Sequence, residues 1–197
     1  MTKIVLIGDS HMQALGPRLK RLYEQDDPSV EVTGTAHPGW SLVKFINEAH
    51  LSNLARGMDL VVFEVGGNDQ ITDRETYKAR LATAVGMLRS TANPGAKVVI
   101  VGPPTADALE VDTRHRATTL HQASVWREAG ADQWIDSRGV TANLPMRDDD
   151  VHFAVEGYDR WAAWLHNRIG KPSGGYGWIA GIAALGIAGW VFWRTAK

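Results

Sequence analysis

The chain has 197 residues, 44% of them hydrophobic and 22% charged, with a formal net charge of -1. That length suits one core of roughly 150 to 170 residues with a remainder outside it, and the charge balance leaves no basic excess for a phosphate backbone, which argues against nucleic acid as a partner. Cysteine is absent, so disulfides, thiolate metal sites and a cysteine nucleophile are excluded.

Lys3 is followed by only Ile4-Val5-Leu6-Ile7 before Gly8-Asp9. This run is too short for the apolar stretch of a secretory signal and reads as a buried first strand. Residues 30–35, 60–65, 98–101 and 134–135 are further short runs rich in β-branched residues, each bounded by Gly, Pro or Asp, giving five strand candidates in all. Between them lie helix-length segments at residues 12–23, 75–89 and 114–129, the last after an Asp112-Thr113 cap candidate. Strand and helix alternate, which implies an α/β fold whose mostly parallel sheet is covered on both faces. One domain over residues 1–170 is expected, then a linker at 171–175 containing Pro172, Gly174 and Gly175.

From Gly177 to Trp193 no residue is charged. A helix over 176–194 is expected to contact a membrane through residues 176–193, about 27 Å at ~1.5 Å per residue, with Trp178, Trp190 and Trp193 at the interfaces. An apolar helix docked on protein is the alternative. Gly177, Gly181, Ala184 and Ala188 form a small-residue stripe on which a second helix, from self-association or a membrane protein partner, could pack. Without a secretory signal the segment would insert after synthesis, leaving residues 1–170 cytoplasmic, or within a virion membrane were the gene viral.

Four short stretches carry chemistry. Ser10 follows the first strand, Gly39 lies in a loop, Asn68 follows the third strand, and Asp149 precedes His152 by three residues. A serine with a histidine base and an orienting carboxylate is the apparatus of acyl transfer. Ser10 would be the nucleophile, His152 its base and Asp149 the orienting group, while the Ser10 and Gly39 N–H groups and the Asn68 amide would serve a developing oxyanion. Each element also has a plain structural reading: Ser10 as a helix cap, Asn68-Asp69 as a turn, and Asp148-Asp149-Asp150 as a solvated loop or weak cation site. His11, His37 and Trp40 flank these positions as candidate substrate contacts. His115 and His121 do not share a helical face, and neither a metal site nor a cofactor is read.

Gly8-Asp9-Ser10, Gly39 within Pro38-Gly39-Trp40-Ser41, Gly66-Gly67-Asn68-Asp69, and Asp149-Asp150-Val151-His152 followed by Gly157-Tyr158 occur in that order. In these blocks, over residues 3 to about 169, the chain resembles the SGNH (GDSL-type) hydrolases, a family of esterases, lipases, thioesterases and carbohydrate deacetylases. The resemblance implies a flavodoxin-like three-layer α/β/α sandwich with a central parallel five-stranded sheet, and it selects Asp149 from its acidic neighbours by the spacing to His152. Position 11 is His where the name-giving motif has Leu. No Gly-x-Ser-x-Gly elbow is present, so an α/β-hydrolase is disfavoured.

The expected function is a serine ester hydrolase working through an acyl-enzyme. The loops after the strands, at 40–53, 71–76, 103–113 and 138–148, are short and form no large apolar lid, which favours small acyl esters such as O-acetyl groups of a carbohydrate or cell-wall polymer. The apolar tail favours the alternative of a lysophospholipase or thioesterase at a membrane. A catalytically idle, membrane-anchored structural or binding protein is the third reading.

Overall fold

The apolar runs pair into one five-stranded parallel sheet in the order β2-β1-β3-β4-β5. In the computed structural model, which describes residues 1–70 and 73–170, the strands are β1 (Lys3–Gly8), β2 (Glu31–Ala36), β3 (Leu60–Glu64), β4 (Lys97–Val101) and β5 (Gln133–Ile135). The helices are α1 (Ser10–Asp26), α2 (Leu42–Glu48), α3 (Leu51–Leu54), α4 (Arg74–Arg89), α5 (Leu109–Val125), α6 (Arg138–Thr141) and α7 (Val155–Ile169).

Alternation along each central strand divides the core. Val5, Ile7, Val61, Phe63, Val98 and Ile100 face a layer supplied by Phe45 of α2, Leu81 and Leu88 of α4 and Val125 of α5. Ile4, Leu6, Leu60, Val62, Val99 and Val101 face Leu15 and Leu19 of α1 and Trp161 and Leu165 of α7. A strand buried on both faces cannot alternate with polar residues, which is why β1, β3 and β4 read as continuous apolar runs. The result is the three-layer α/β/α arrangement.

Strand order reverses at β1, which pairs with β2 on one side and β3 on the other. The crevice at the carboxyl ends of β1 and β3 is therefore the switch point of the sheet, where ligands bind in open parallel sheets. Ser10 and Asn68 both follow strands at that crevice.

Two local expectations are corrected. α5 begins at Leu109, ahead of the Asp112-Thr113 cap candidate, and its N-cap Ala108 has no side-chain cap. Tertiary contacts set that start: the Asp107 and Ala108 N–H groups donate to the Asp150 carbonyl at 2.9 and 3.1 Å. Asp112 sits instead in the first turn, pairing with Arg138 at 2.9 Å. The segments read as loops at 40–53 and 138–148 contain α2, α3 and α6, elements too short for periodicity to register. The linker at 171–175 and the apolar segment at 176–194 lie outside the described residues; among the described residues no helix is long and apolar enough to cross a membrane.

Candidate active site

The site is built on the turn from β1 into α1. Asp9 is the N-cap of α1, its carboxylate accepting the His11 N–H at 3.0 Å, so Ser10 becomes the first helical residue. Gly8 has no room for a side chain: a Cβ would lie 2.6 Å from Met12 Cβ and 2.7 Å from Glu64 Oε2. The positive end of α1 thus stands at the Ser10 backbone.

Ser10 Oγ lies 2.9 Å from His152 Nε2, and His152 Nδ1 lies 2.8 Å from Asp149 Oδ2. A carboxylate only accepts, so the ring proton resides on Nδ1 and the Nε2 lone pair faces the Ser10 hydroxyl. Asp149 Oδ1 also accepts the N–H groups of His152 and Val151, at 2.8 and 3.0 Å. These bonds, the His152 N–H first, hold the Asp149 carboxyl down at about 2, below its ordinary range. The loop is closed by Arg147 N–H donating to the His152 carbonyl at 2.7 Å and by the Met146–Phe153 bridge.

Asn68 Nδ2 donates to Asp9 Oδ2 at 3.0 Å and to the Trp40 carbonyl at 3.4 Å. One amide hydrogen is firmly held by Asp9, which fixes the direction of the other; its long contact with the Trp40 carbonyl leaves that hydrogen open to a substrate oxygen. Gly39 is exposed with φ +76, a left-handed conformation suited to glycine. Its N–H makes no hydrogen bond among the described residues.

A buried acidic layer lies beneath. Glu64, fully buried, accepts the Asp9 N–H at 3.1 Å. Burial, then the neighbouring Asp9 charge, raises the Glu64 carboxyl well above its ordinary range, and burial raises Asp9 to about 6. Glu64 is therefore the protonated member of the pair. Asp69 accepts the Leu42 N–H at 2.6 Å and the Tyr77 hydroxyl at 3.0 Å, anchoring α2 beside Asn68. Arg114 Nε and His115 Nε2 both meet the Gly67 carbonyl, at 3.0 and 3.1 Å, and fix the strand-to-loop turn that presents Asn68.

The structure brings Ser10, His152 and Asp149 into one line and ties Asn68 to that turn through Asp9. His11 does not reach the surface: it is 2% exposed, with Nδ1 3.0 Å from the Tyr158 hydroxyl, which corrects its assignment as a substrate contact. His37 stacks on Trp40 with centroids 3.9 Å apart, and Lys44 Nζ stands 5.3 Å from the Trp40 ring. Pro38, not these two rings, lines the cleft of about 720 Å³ beside Ser10. Gln13, Arg18, Arg147, Val155 and Tyr158 complete much of its wall. Among the described residues no group of three or more His, Asp or Glu side chains is arranged to hold a metal ion.

Sequence reasoning missed Glu64 and Arg114, and gave no role at the site to Asp9, His115 or Tyr158, although it quoted all three. A charged residue within the apolar run 60–65 was the local signal at Glu64, and the place of Asp9 directly before Ser10 was another; Arg114, His115 and Tyr158 become neighbours of the site only through the packing of α5 and α7.

The model of the GDSL-like Lipase/Acylhydrolase family matches residues 6–160. Among solved structures, a lipase/acylhydrolase from Enterococcus faecalis is 24% identical with a TM-score of 0.67, covering 88% of this chain and 100% of that one. An acetyl esterase mutant with acetate ion is 18% identical, TM-score 0.70, covering 86% and 96%. A carbohydrate esterase family 3 protein from Talaromyces cellulolyticus is 18% identical, TM-score 0.66, covering 86% and 96%. At these identities the likeness is one of fold. No curated protein matches the chain's sequence.

Proposed function

This chain belongs to the GDSL-like lipase/acylhydrolase family and is a carboxylic ester hydrolase, and from that premise we propose that Ser10, His152 and Asp149 cleave small acyl esters through an acyl-enzyme. The observation that carries the assignment is the line Ser10 Oγ, His152 Nε2, His152 Nδ1, Asp149 Oδ2, with steps of 2.9 and 2.8 Å. Ser10 Oγ attacks the acyl carbon and its proton passes to His152 Nε2. Asp149 stabilises the imidazolium. The carbonyl oxygen, now anionic, is met by the Ser10 and Gly39 N–H groups and Asn68 Nδ2. His152 returns the proton to the departing alkoxide, leaving the acyl group on Ser10. Water, deprotonated by His152, then attacks the acyl carbon, releasing the carboxylic acid and restoring the Ser10 hydroxyl.

The substrates we propose are O-acetyl groups of a carbohydrate or cell-wall polymer. The wall of the cleft, with Gln13, Arg18 and Arg147, suits a polar alcohol portion, and the fold is shared with an acetyl esterase and a carbohydrate esterase family 3 protein. One observation favours the second reading, longer acyl groups. A groove of about 500 Å³ between α1 and β2, floored by Leu6 and Met12, meets the cleft at Gln13. A panel of p-nitrophenyl acetate, a long-chain acyl ester, an O-acetylated glycan and a lysophospholipid separates the two. Fastest turnover of the glycan supports the first, and of either long-chain substrate the second. A fluorophosphonate probe should label wild-type protein but not Ser10→Ala; absence of wild-type labelling would overturn the mechanism.

Membrane attachment through residues 176–193 is a proposal from sequence alone. Retention of the full chain on membranes through a carbonate wash supports it, and release refutes it.

A further inference from the structure

We propose that the hydrogen bond between Tyr158 and His11 is a strut that holds His152 in register with Ser10, making His11 and Tyr158 positioning residues for acyl transfer. The proposal rests on the reading of Ser10 and His152 given above.

The two residues connect the elements that carry the two reacting groups. His11 is the residue after Ser10 on α1, and Tyr158 stands on the first turns of α7, directly after the His152 loop. Both are buried, at 2% and 1% exposure. His11 Nδ1 lies 3.0 Å from the Tyr158 hydroxyl, and the ring of Phe153, the residue after His152, packs on both, with centroids 5.5 Å from Tyr158 and 6.0 Å from His11.

Burial lowers the His11 pKa well below the ordinary imidazole value, so the ring is neutral. A phenol hydroxyl and a neutral imidazole nitrogen make one hydrogen bond whichever of the two donates, and the strut joins the helix turn beside the nucleophile to the first turn of α7, just after the base. It adds no charge next to the His152 ring, 5.2 Å away.

Packing is the competing account. His11, Phe153, Tyr158 and Trp161 form an aromatic cluster with centroids between 5.5 and 6.3 Å apart, and packing alone could hold the loop. Removing one hydroxyl distinguishes the accounts because Tyr158→Phe keeps the ring and its contacts. The loss leaves the buried His11 Nδ1 without its partner, so the tie between α1 and α7 loosens while the cluster persists.

The experiment measures fluorophosphonate labelling of Ser10 together with kcat and KM on p-nitrophenyl acetate, in wild type, Tyr158→Phe, His11→Leu and His11→Asn. Labelling needs only Ser10 and His152 in register. Tyr158→Phe and His11→Leu should each lower labelling rate and kcat about tenfold with KM little changed. Asn places amide atoms that can donate or accept near where Nδ1 stood, so His11→Asn should recover most of the loss, and should recover none of it in a Tyr158→Phe background. An unchanged labelling rate in folded Tyr158→Phe, or equal losses in His11→Asn and His11→Leu, would overturn the strut alone. Absence of labelling in the wild-type protein would overturn the acyl-transfer reading and the strut with it.

Discussion

Asn68 Nδ2 is held 3.0 Å from Asp9 Oδ2, so the amide that faces the candidate oxyanion position is aligned before any substrate arrives. Preorganised donors of this kind need no reorientation as charge develops. Asn68→Ala should lower kcat by on the order of 10²- to 10³-fold with little change in KM. Steady-state kinetics on p-nitrophenyl acetate check this, and a rise in KM at constant kcat would make Asn68 a substrate-positioning group instead.

Ser10→Ala and His152→Ala should each remove turnover down to the residue left by the oxyanion donors, with the fold intact because both groups sit at the crevice and not in the core. Asp149→Asn keeps an oxygen for the His152 and Val151 N–H groups but presents an NH₂ to Nδ1, favouring the tautomer that cannot accept from Ser10. A loss on the order of 10³-fold in kcat is expected. Thermal melts of the three variants alongside their rates separate loss of chemistry from loss of fold.

Asp9 and Asp149 should contribute to stability with opposite pH dependence. Asp9 titrates at about 6 in the fold against an ordinary value of 3.8, so between those values the folded state binds more protons than the unfolded one and stability rises as pH falls. Asp149 is shifted the other way, to about 2 from 3.8; its contribution is present above the ordinary value and lost as pH falls toward 2. The buried His11 and His115, shifted down, act in the opposite sense over the upper range, so each contribution is read as a difference. The melting temperature of wild type minus that of Asp9→Asn should grow as pH falls from 7 to 5, and the corresponding difference for Asp149→Asn should shrink below pH 4. A wild-type minus Asp9→Asn difference that does not change with pH would remove the Asp9 assignment.

Two glycines should respond oppositely to alanine. At Gly8 a Cβ would meet Met12 Cβ at 2.6 Å and the Glu64 carbonyl at 2.9 Å, a collision with backbone and core that should cost about 2 kcal/mol or more. At Gly86, exposed in α4, a Cβ meets nothing within 4 Å, and alanine should add roughly 0.5–1 kcal/mol by helix propensity. Urea unfolding of the two variants measures both, and a neutral Gly8→Ala would show that Met12 and Glu64 can yield.

Much of this architecture is written in short-range pattern. Runs such as Ile4-Val5-Leu6-Ile7 mark strands buried on both faces, and the positions of Ser10 and Asn68 after such runs place them at the crevice, because strand ends and turns are local properties of the chain. The resemblance of four ordered blocks carried the rest of the site. What the chain could not disclose locally was which residues stand behind it. Ser10 and His152 are 142 positions apart, and only the sheet order and the packing of α7 on α1 make them neighbours. The same packing buries His11, which its place beside Ser10 had marked as a candidate substrate contact, since burial depends on what a helix face meets. α5 likewise starts at Leu109, where a carbonyl from the His152 loop captures the N–H groups of Asp107 and Ala108 just ahead of it, overriding the cap residues downstream. Periodicity and capping are settled within a few residues, whereas burial, proton placement and the alignment of Ser10 with His152 depend on contacts between distant segments, and these exist only once the sheet has formed.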